Sequence, residues 1–161
     1  MRNTIINRRF KYTDVNATAI LIIINVIVFI LQNIFAKLPY ILSMVPIYIR
    51  LRHWYWQFFT YMFSHVDFWH LFSNMLGLYI FGRIVERSVG SREFLLYYLL
   101  TGTLAGFASY FFYLYSGSLF TVVLGASGAL YAIMLLFSVL FPNAVVYVFG
   151  IIPMRATIQV I

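Results

Sequence analysis

Four long apolar segments dominate the chain, at residues 17–35, 66–84, 94–115 and 122–141. Each is close to the roughly 20 apolar residues that are needed to cross the hydrocarbon core of a bilayer. Only 9% of the residues are charged, against roughly 25% in soluble domains. A chain of this kind could not cover itself with a water-compatible surface. The sequence therefore predicts an all-α, polytopic membrane protein, folded as a helical bundle.

The remaining segments complete the predicted organisation. Residues 1–16 are polar and basic, and are expected to form a cytoplasmic N-terminal segment before one membrane domain at 17–161. The first span has no small-residue cleavage site, so we expect it to be retained and not removed as a signal peptide. After the fourth span, VVYVFGIIPMRATIQVI is expected to be a loop along the membrane, with a fifth span beginning at Thr157.

Arginine and lysine residues predict the orientation of the spans. With the N-terminus in the cytoplasm, eight basic residues lie inside and three, Lys37, Arg50 and Arg52, lie outside. This asymmetry fits the positive-inside rule for a multi-pass protein. The sequence does not identify the membrane, and a bacterial plasma membrane is taken as the simplest expectation. The net charge of +7 comes from residues scattered at the ends of the spans, so no nucleic-acid partner is expected. The loop at 37–64, called the outer loop below, is crowded with aromatic residues, which favour the membrane–water interface.

His70 and Asn74 are polar residues inside the second span, and His65 lies near its outer end. Residues four apart share one helix face. In a membrane such side chains face the bundle interior or a watery cavity, where they either hydrogen-bond between helices or form a site. A chain with three histidines, four carboxylates and no cysteine offers little for a metal site, and no carboxylate lies deep in a span as a proton relay would require.

Ser127 lies between glycines at the start of the fourth span, in VVLGASGALYAIM. Small residues at this point would let neighbouring membrane helices approach closely. Alternatively, a serine on a tight turn is a nucleophile, which needs an adjacent base. With His70 and Asn74 to stabilise an oxyanion, hydrolysis is the one chemistry that uses all of these residues.

The series His, four residues, His, three residues, Asn in HVDFWHLFSNM, followed about fifty residues later by GASGALYA, resembles the rhomboid family of intramembrane serine proteases. The resemblance covers about residues 12–161 and implies a partial rhomboid domain of four complete spans plus the start of a fifth. It implies that Ser127 is the nucleophile and that His70, Asn74 and the Ser127 backbone form the oxyanion hole. It gives supporting roles to His65, Gly125, Gly128 and Tyr131.

The same resemblance shows what these 161 residues lack. In rhomboids the base is a histidine on the sixth helix, whereas no histidine follows Ser127 here. We therefore expect an incomplete copy of a protease, inactive on its own. The alternative is an inactive rhomboid-like protein that binds other membrane proteins. The substrates would be membrane proteins with a transmembrane segment, and no cofactor is implied.

Three further features carry expectations. Gly102 and Gly106 form a GxxxG motif in the third span, which predicts close helix packing. The resemblance implies that Glu86 is an internal hydrogen-bond anchor, with a surface ion pair to a neighbouring arginine as the alternative. The family tends to carry Trp-Arg in the outer loop, where this chain has Trp56 and Gln57.

Overall fold

The computed structural model describes residues 15–148 and 152–155, in which the regular elements are helices apart from one short hairpin. The predicted helical bundle is therefore confirmed for this part of the chain. The N-terminal segment and the predicted start of a fifth span lie mostly or wholly outside the described residues. The elements are α1 (Ala17–Ile34), α2 (Leu38–Leu42), α3 (Pro46–Arg52), α4 (Gln57–Thr60), α5 (Phe68–Gly77), α6 (Arg83–Val89), α7 (Ser91–Tyr115), α8 (Ser127–Leu140), β1 (Val145–Val148) and β2 (Ile152–Arg155).

Two helices, α1 and α7, are long and apolar enough to cross a membrane by themselves. The predicted second span is one continuous helix, because α5 runs through a π-helical turn at Leu78–Gly82 directly into α6. Helix α8 has 14 residues and is shorter than the predicted fourth span, since the chain before Ser127 forms a turn. The spanning character of α5–α6 and of α8 therefore remains a prediction.

The chain after α8 forms an antiparallel pair of strands, which the sequence did not predict. Strand β1 pairs with β2 so that Val145 lies opposite Arg155 and Val148 lies opposite Ile152. The β-branched valines of β1 favour a strand. Gly150 and Pro153, however, interrupt the apolar stretch and had indicated an irregular loop.

Small residues bring α7 and α8 together. A Cβ atom built on Gly102 would lie 3.2 Å from the Cβ of Ala129, and one built on Gly128 would lie 2.8 Å from the Cβ of Ala105. The predicted close packing at Gly102 is therefore present. The second glycine of the motif, Gly106, faces the outer loop, whose backbone would lie 2.8 Å from an added Cβ.

Glu86 fastens the start of α1 to α6 and α7. Its carboxylate accepts hydrogen bonds from the backbone N–H groups of Ala17 and Thr18, from the Thr18 hydroxyl and from the Ser91 hydroxyl. No arginine is among these donors, so the anchor interpretation fits better than the ion pair. Burial alone would raise the pKa of Glu86, but the bonds from Ser91, Thr18 and Ala17 outweigh burial and hold the pKa below its ordinary value.

Gln57 anchors the outer loop at the position where the resemblance would lead one to expect arginine. Its side chain is fully buried. The Oε1 atom accepts a bond of 3.1 Å from the Val45 N–H, and Nε2 donates to the carbonyl oxygens of Tyr40 and Ile41, both at 3.3 Å. A neutral amide therefore binds three backbone groups of the loop, one as acceptor and two as donor.

Candidate active site

Ser127 is the first residue of α8 and follows a turn at Gly125. Gly125 has a φ of +113°, which residues with a Cβ atom rarely adopt. Its N–H donates to the Tyr61 carbonyl oxygen over 3.0 Å, so the outer loop holds the turn in place. The first N–H groups of a helix have no intrahelical partner, and its N-terminal end carries partial positive charge. The half-buried Ser127 therefore lies where a developing negative charge would be stabilised.

The imidazole of His70 lies directly against Gly125. A Cβ atom built on Gly125 would lie 2.7 Å from both Cε1 and Nε2 of His70, so only glycine leaves room for the ring. Helix α5 begins at Phe68 because the Asp67 side chain caps it, accepting a 2.8 Å bond from the His70 N–H. The cap and the close contact together bring a half-buried imidazole to the turn that precedes Ser127.

Asn74 lies one helical turn after His70 and is 4% exposed. Its Nδ2 donates a 2.7 Å hydrogen bond to the His70 carbonyl oxygen in the same helix. An asparagine amide has two N–H donors, so this bond fixes the side chain and leaves one donor for another acceptor. Asn74 can therefore serve an oxyanion only through its second N–H.

His65 lies in the loop before α5 and is 3% exposed. Its ring meets the His70 ring edge to face, with a centroid distance of 5.1 Å. Neither ring nitrogen has a hydrogen-bond partner among the described residues. Burial, together with the neighbouring His70, lowers the pKa of His65 to about 4, so the ring is neutral at neutral pH. His65 therefore packs against His70, and its supporting role stays a prediction.

Tyr131 lies one turn after Ser127 and is 66% exposed. The described helices therefore leave its ring largely uncovered. Gly128, by contrast, is where α8 meets α7, because a Cβ atom built on it would lie 2.8 Å from the Cβ of Ala105 and 3.3 Å from the Tyr61 hydroxyl oxygen. Of the residues predicted from the sequence, the described chain brings His65, His70 and Gly125 together, two residues before Ser127, and leaves Tyr131 largely exposed.

Tyr61 is a residue that the sequence did not reveal. It is 3% exposed, its carbonyl oxygen accepts from Gly125, and its hydroxyl donates to the Gly102 carbonyl oxygen over 2.7 Å. Tyr61 thereby connects the outer loop, α7 and the turn before Ser127. Nothing in the sequence distinguishes it from the other tyrosines, of which the chain has 13 in total.

Comparison with known proteins agrees with these observations. The Rhomboid domain family matches residues 52–161. RHOMBOID-like protein 12, mitochondrial, from Arabidopsis thaliana is 39% identical over 113 residues, which cover 60% of this chain and 33% of that protein. Rhomboid protease GlpG from Klebsiella pneumoniae is 30% identical over 115 residues, covering 71% of this chain and 40% of the relative. The chain thus spans less than half the length of these relatives.

Proposed function

Because the chain belongs to the rhomboid family, which is embedded in membranes, we propose that the protein is a rhomboid-type intramembrane serine protease. It would hydrolyse peptide bonds in or near the transmembrane segments of membrane proteins. The observation that carries the proposal is the contact between His70 and Gly125, two residues before Ser127. The relative from Klebsiella pneumoniae, whose name is that of a protease, supports the same activity.

In the proposed reaction, the Ser127 oxygen attacks the scissile carbonyl carbon and forms a tetrahedral intermediate. The negative oxygen accepts hydrogen bonds from the Ser127 N–H, from a ring N–H of His70 and from the second N–H of Asn74. The C–N bond then breaks, the amine leaves with a proton, and water hydrolyses the acyl-enzyme. The resemblance assigns the proton-accepting base to a helix later than those described. His53, His65 and His70 all precede Ser127 in the chain, and His70 is already assigned to the oxyanion hole. We therefore assign no base among these three histidines.

The proposed topology places Ser127 toward the outer face of a bacterial plasma membrane, with the N-terminus in the cytoplasm and α1, α5–α6, α7 and α8 as spans. The eight-to-three distribution of basic residues supports this orientation. Substrate helices that unwind near the outer leaflet would expose a carbonyl group to Ser127, and helix-breaking residues promote such unwinding. Proteins with a single transmembrane helix are therefore the proposed substrate class.

A fluorophosphonate probe, which reacts with activated serines, tests the proposal. The protein is expressed from its complete reading frame, purified in detergent and labelled. Ser127 should react, and Ser127→Ala should abolish the labelling. Ser138→Ala is the matched control, since Ser138 is a buried serine of the same helix that donates to the Leu135 carbonyl oxygen. A folded protein that binds membrane proteins but never labels would instead support the inactive, binding alternative.

The polypeptide of residues 1–161 gives a second test. No histidine or lysine follows Ser127 in it, and Arg155 cannot act as a base because a guanidinium stays protonated in proteins. We expect this polypeptide alone to label barely, if the base lies on a later helix. Strong labelling of it at Ser127 would show that another group activates the serine and would refute the assignment of the base.

A further inference from the structure

A cleft of about 590 Å³ opens between the outer loop and α7. Aromatic rings from both sides line it, and Phe58 stacks on Phe107 with a centroid distance of 4.0 Å. The cleft follows α7 from Thr103 to Phe111, which is about 12 Å at 1.5 Å per residue. None of its lining residues belongs to the candidate active site. It is a separate apolar cleft, and its volume lies within the range of roughly 300–1,000 Å³ that ligand sites show.

The rim of this cleft is polar. Arg50 lies exposed near the end of α3, beside His53 and Tyr55. His53 ends α3 in the left-handed conformation, with a φ of +58°, and its Nδ1 lies 2.8 Å from the Tyr55 hydroxyl oxygen. When Tyr55 donates to Nδ1, the proton of the neutral ring is on Nε2. The rim then offers a guanidinium and an imidazole N–H to an acceptor.

The charge at the rim is uncompensated. Residues 36–66 contain Lys37, Arg50 and Arg52 but no aspartate or glutamate. The guanidinium carbon of Arg52 lies 5.0 Å from the ring centroid of Tyr48 and 5.5 Å from that of Trp54. Within the described part of the chain, by contrast, Arg50 has no ion pair, hydrogen bond or aromatic partner. An unpaired guanidinium at the edge of an apolar cleft in a membrane protein can bind an anion, and the cleft beside it favours an anion that also has an apolar part.

We propose that this cleft binds one anionic phospholipid, whose phosphate contacts Arg50 and His53 and whose acyl chain lies against the rings of Phe58, Phe107 and Phe111. A free phosphate ion would gain nothing from the aromatic rings that line the cleft. A zwitterionic headgroup would bring its ammonium close to Arg50, and the loop has no carboxylate to receive it. An anionic headgroup satisfies the guanidinium without adding a second positive charge.

Lipid retention tests this site directly. The protein is expressed from its complete reading frame and reconstituted in nanodiscs of phosphatidylcholine with or without phosphatidylglycerol. Lipid that stays bound after transfer to detergent is counted by native mass spectrometry. We expect one retained phosphatidylglycerol, and Arg50→Gln should weaken its binding at least about tenfold, as expected for a lost charged hydrogen bond. Phe111→Ser should also weaken it, and inorganic phosphate should not displace the lipid.

Lys37→Gln is the matched control, because it removes the same charge from the same loop but lies outside the cleft. It should leave retention unchanged. Equal losses in Lys37→Gln and Arg50→Gln would mean general attraction of anionic lipid to a basic loop and would overturn the proposal. So would equal retention of phosphatidylcholine by the wild-type protein. Unchanged melting of Arg50→Gln in phosphatidylcholine nanodiscs verifies that the variant is folded.

Discussion

Replacing Gly125 by alanine tests the geometry of the candidate site most directly. A backbone φ of +113° strains any residue that has a Cβ atom, at a cost of about 1–3 kcal/mol. The added Cβ would also lie 2.7 Å from the His70 ring, where ordinary contacts begin at 3.4 Å. The ring or the turn must therefore move by about 0.7 Å. A misplacement of about 1 Å in an active site can cost about 100-fold in rate.

We therefore expect Gly125→Ala to react with the fluorophosphonate probe some tens-fold to about 100-fold more slowly, and to melt at a lower temperature. Gly117→Ala is the matched control, since Gly117 also has a positive φ, of +75°, but an added Cβ meets nothing within 4 Å. That variant should lose some stability through backbone strain and keep the labelling rate of the wild type.

A double-mutant cycle separates the strain from the contact. In a His70→Ala background the imidazole is gone, so the Cβ of Gly125→Ala has room and only the backbone strain remains. The cost of Gly125→Ala in unfolding free energy should then be smaller than in the wild type. If the cost is the same in both backgrounds, or if folded Gly125→Ala labels at the wild-type rate, the contact between His70 and Gly125 does not position the site.

Three further predictions follow from other parts of the structure. His70→Ala or Asn74→Ala should slow proteolysis by at least tenfold, and by up to about 10²–10³-fold, while the protein stays folded. Normal rates of proteolysis with lower melting temperatures would instead mean that both residues only hydrogen-bond between helices. Glu86→Gln should lower the unfolding free energy by about 1–3 kcal/mol, because it leaves a buried donor without an acceptor, whereas the exposed Glu93→Gln should have little effect. The folded-state pKa of Glu86 is depressed. Its contribution to the unfolding free energy is therefore complete above the ordinary glutamate pKa and is lost as the pH falls through the folded-state pKa. The difference in unfolding free energy between wild type and Glu86→Gln should then narrow in acid. Reporter fusions after Lys37, Arg92, Ser116 and Ile161 should report outside, inside, outside and inside, and an inside signal at Ser116 would refute the orientation.

The sequence predicted the parts of the site that depend on local spacing. His70 and Asn74 share a face because four residues make about one helical turn, and Gly125 marks a turn because its φ suits glycine. The family, the helical bundle and the close approach at Gly102 also followed from such patterns. Each of these features is a property of a short stretch of chain, so one sequence is enough to recognise it.

Long-range contacts were not predictable in the same way. Gln57 lies in an aromatic stretch, and only the folded loop shows that its amide serves three backbone groups. Tyr61 is one aromatic residue among many until the loop is packed against α7. The hairpin of β1 and β2 was missed because pairing between strands depends on the partner strand, while glycine and proline in the stretch indicated a loop.

The outer loop and the turn before Ser127 form one connected unit. Met44 and Val123 exchange two backbone hydrogen bonds, both of 2.9 Å, and the Tyr61 carbonyl oxygen accepts the Gly125 N–H. Gln57, in turn, holds the loop around Val45, next to Met44. These bonds lie between segments that are far apart in sequence, and most of the groups involved are buried, so breaking one leaves an unsatisfied polar group. A displacement of the loop would therefore be transmitted to Gly125, and through its contact with His70 to the candidate oxyanion hole.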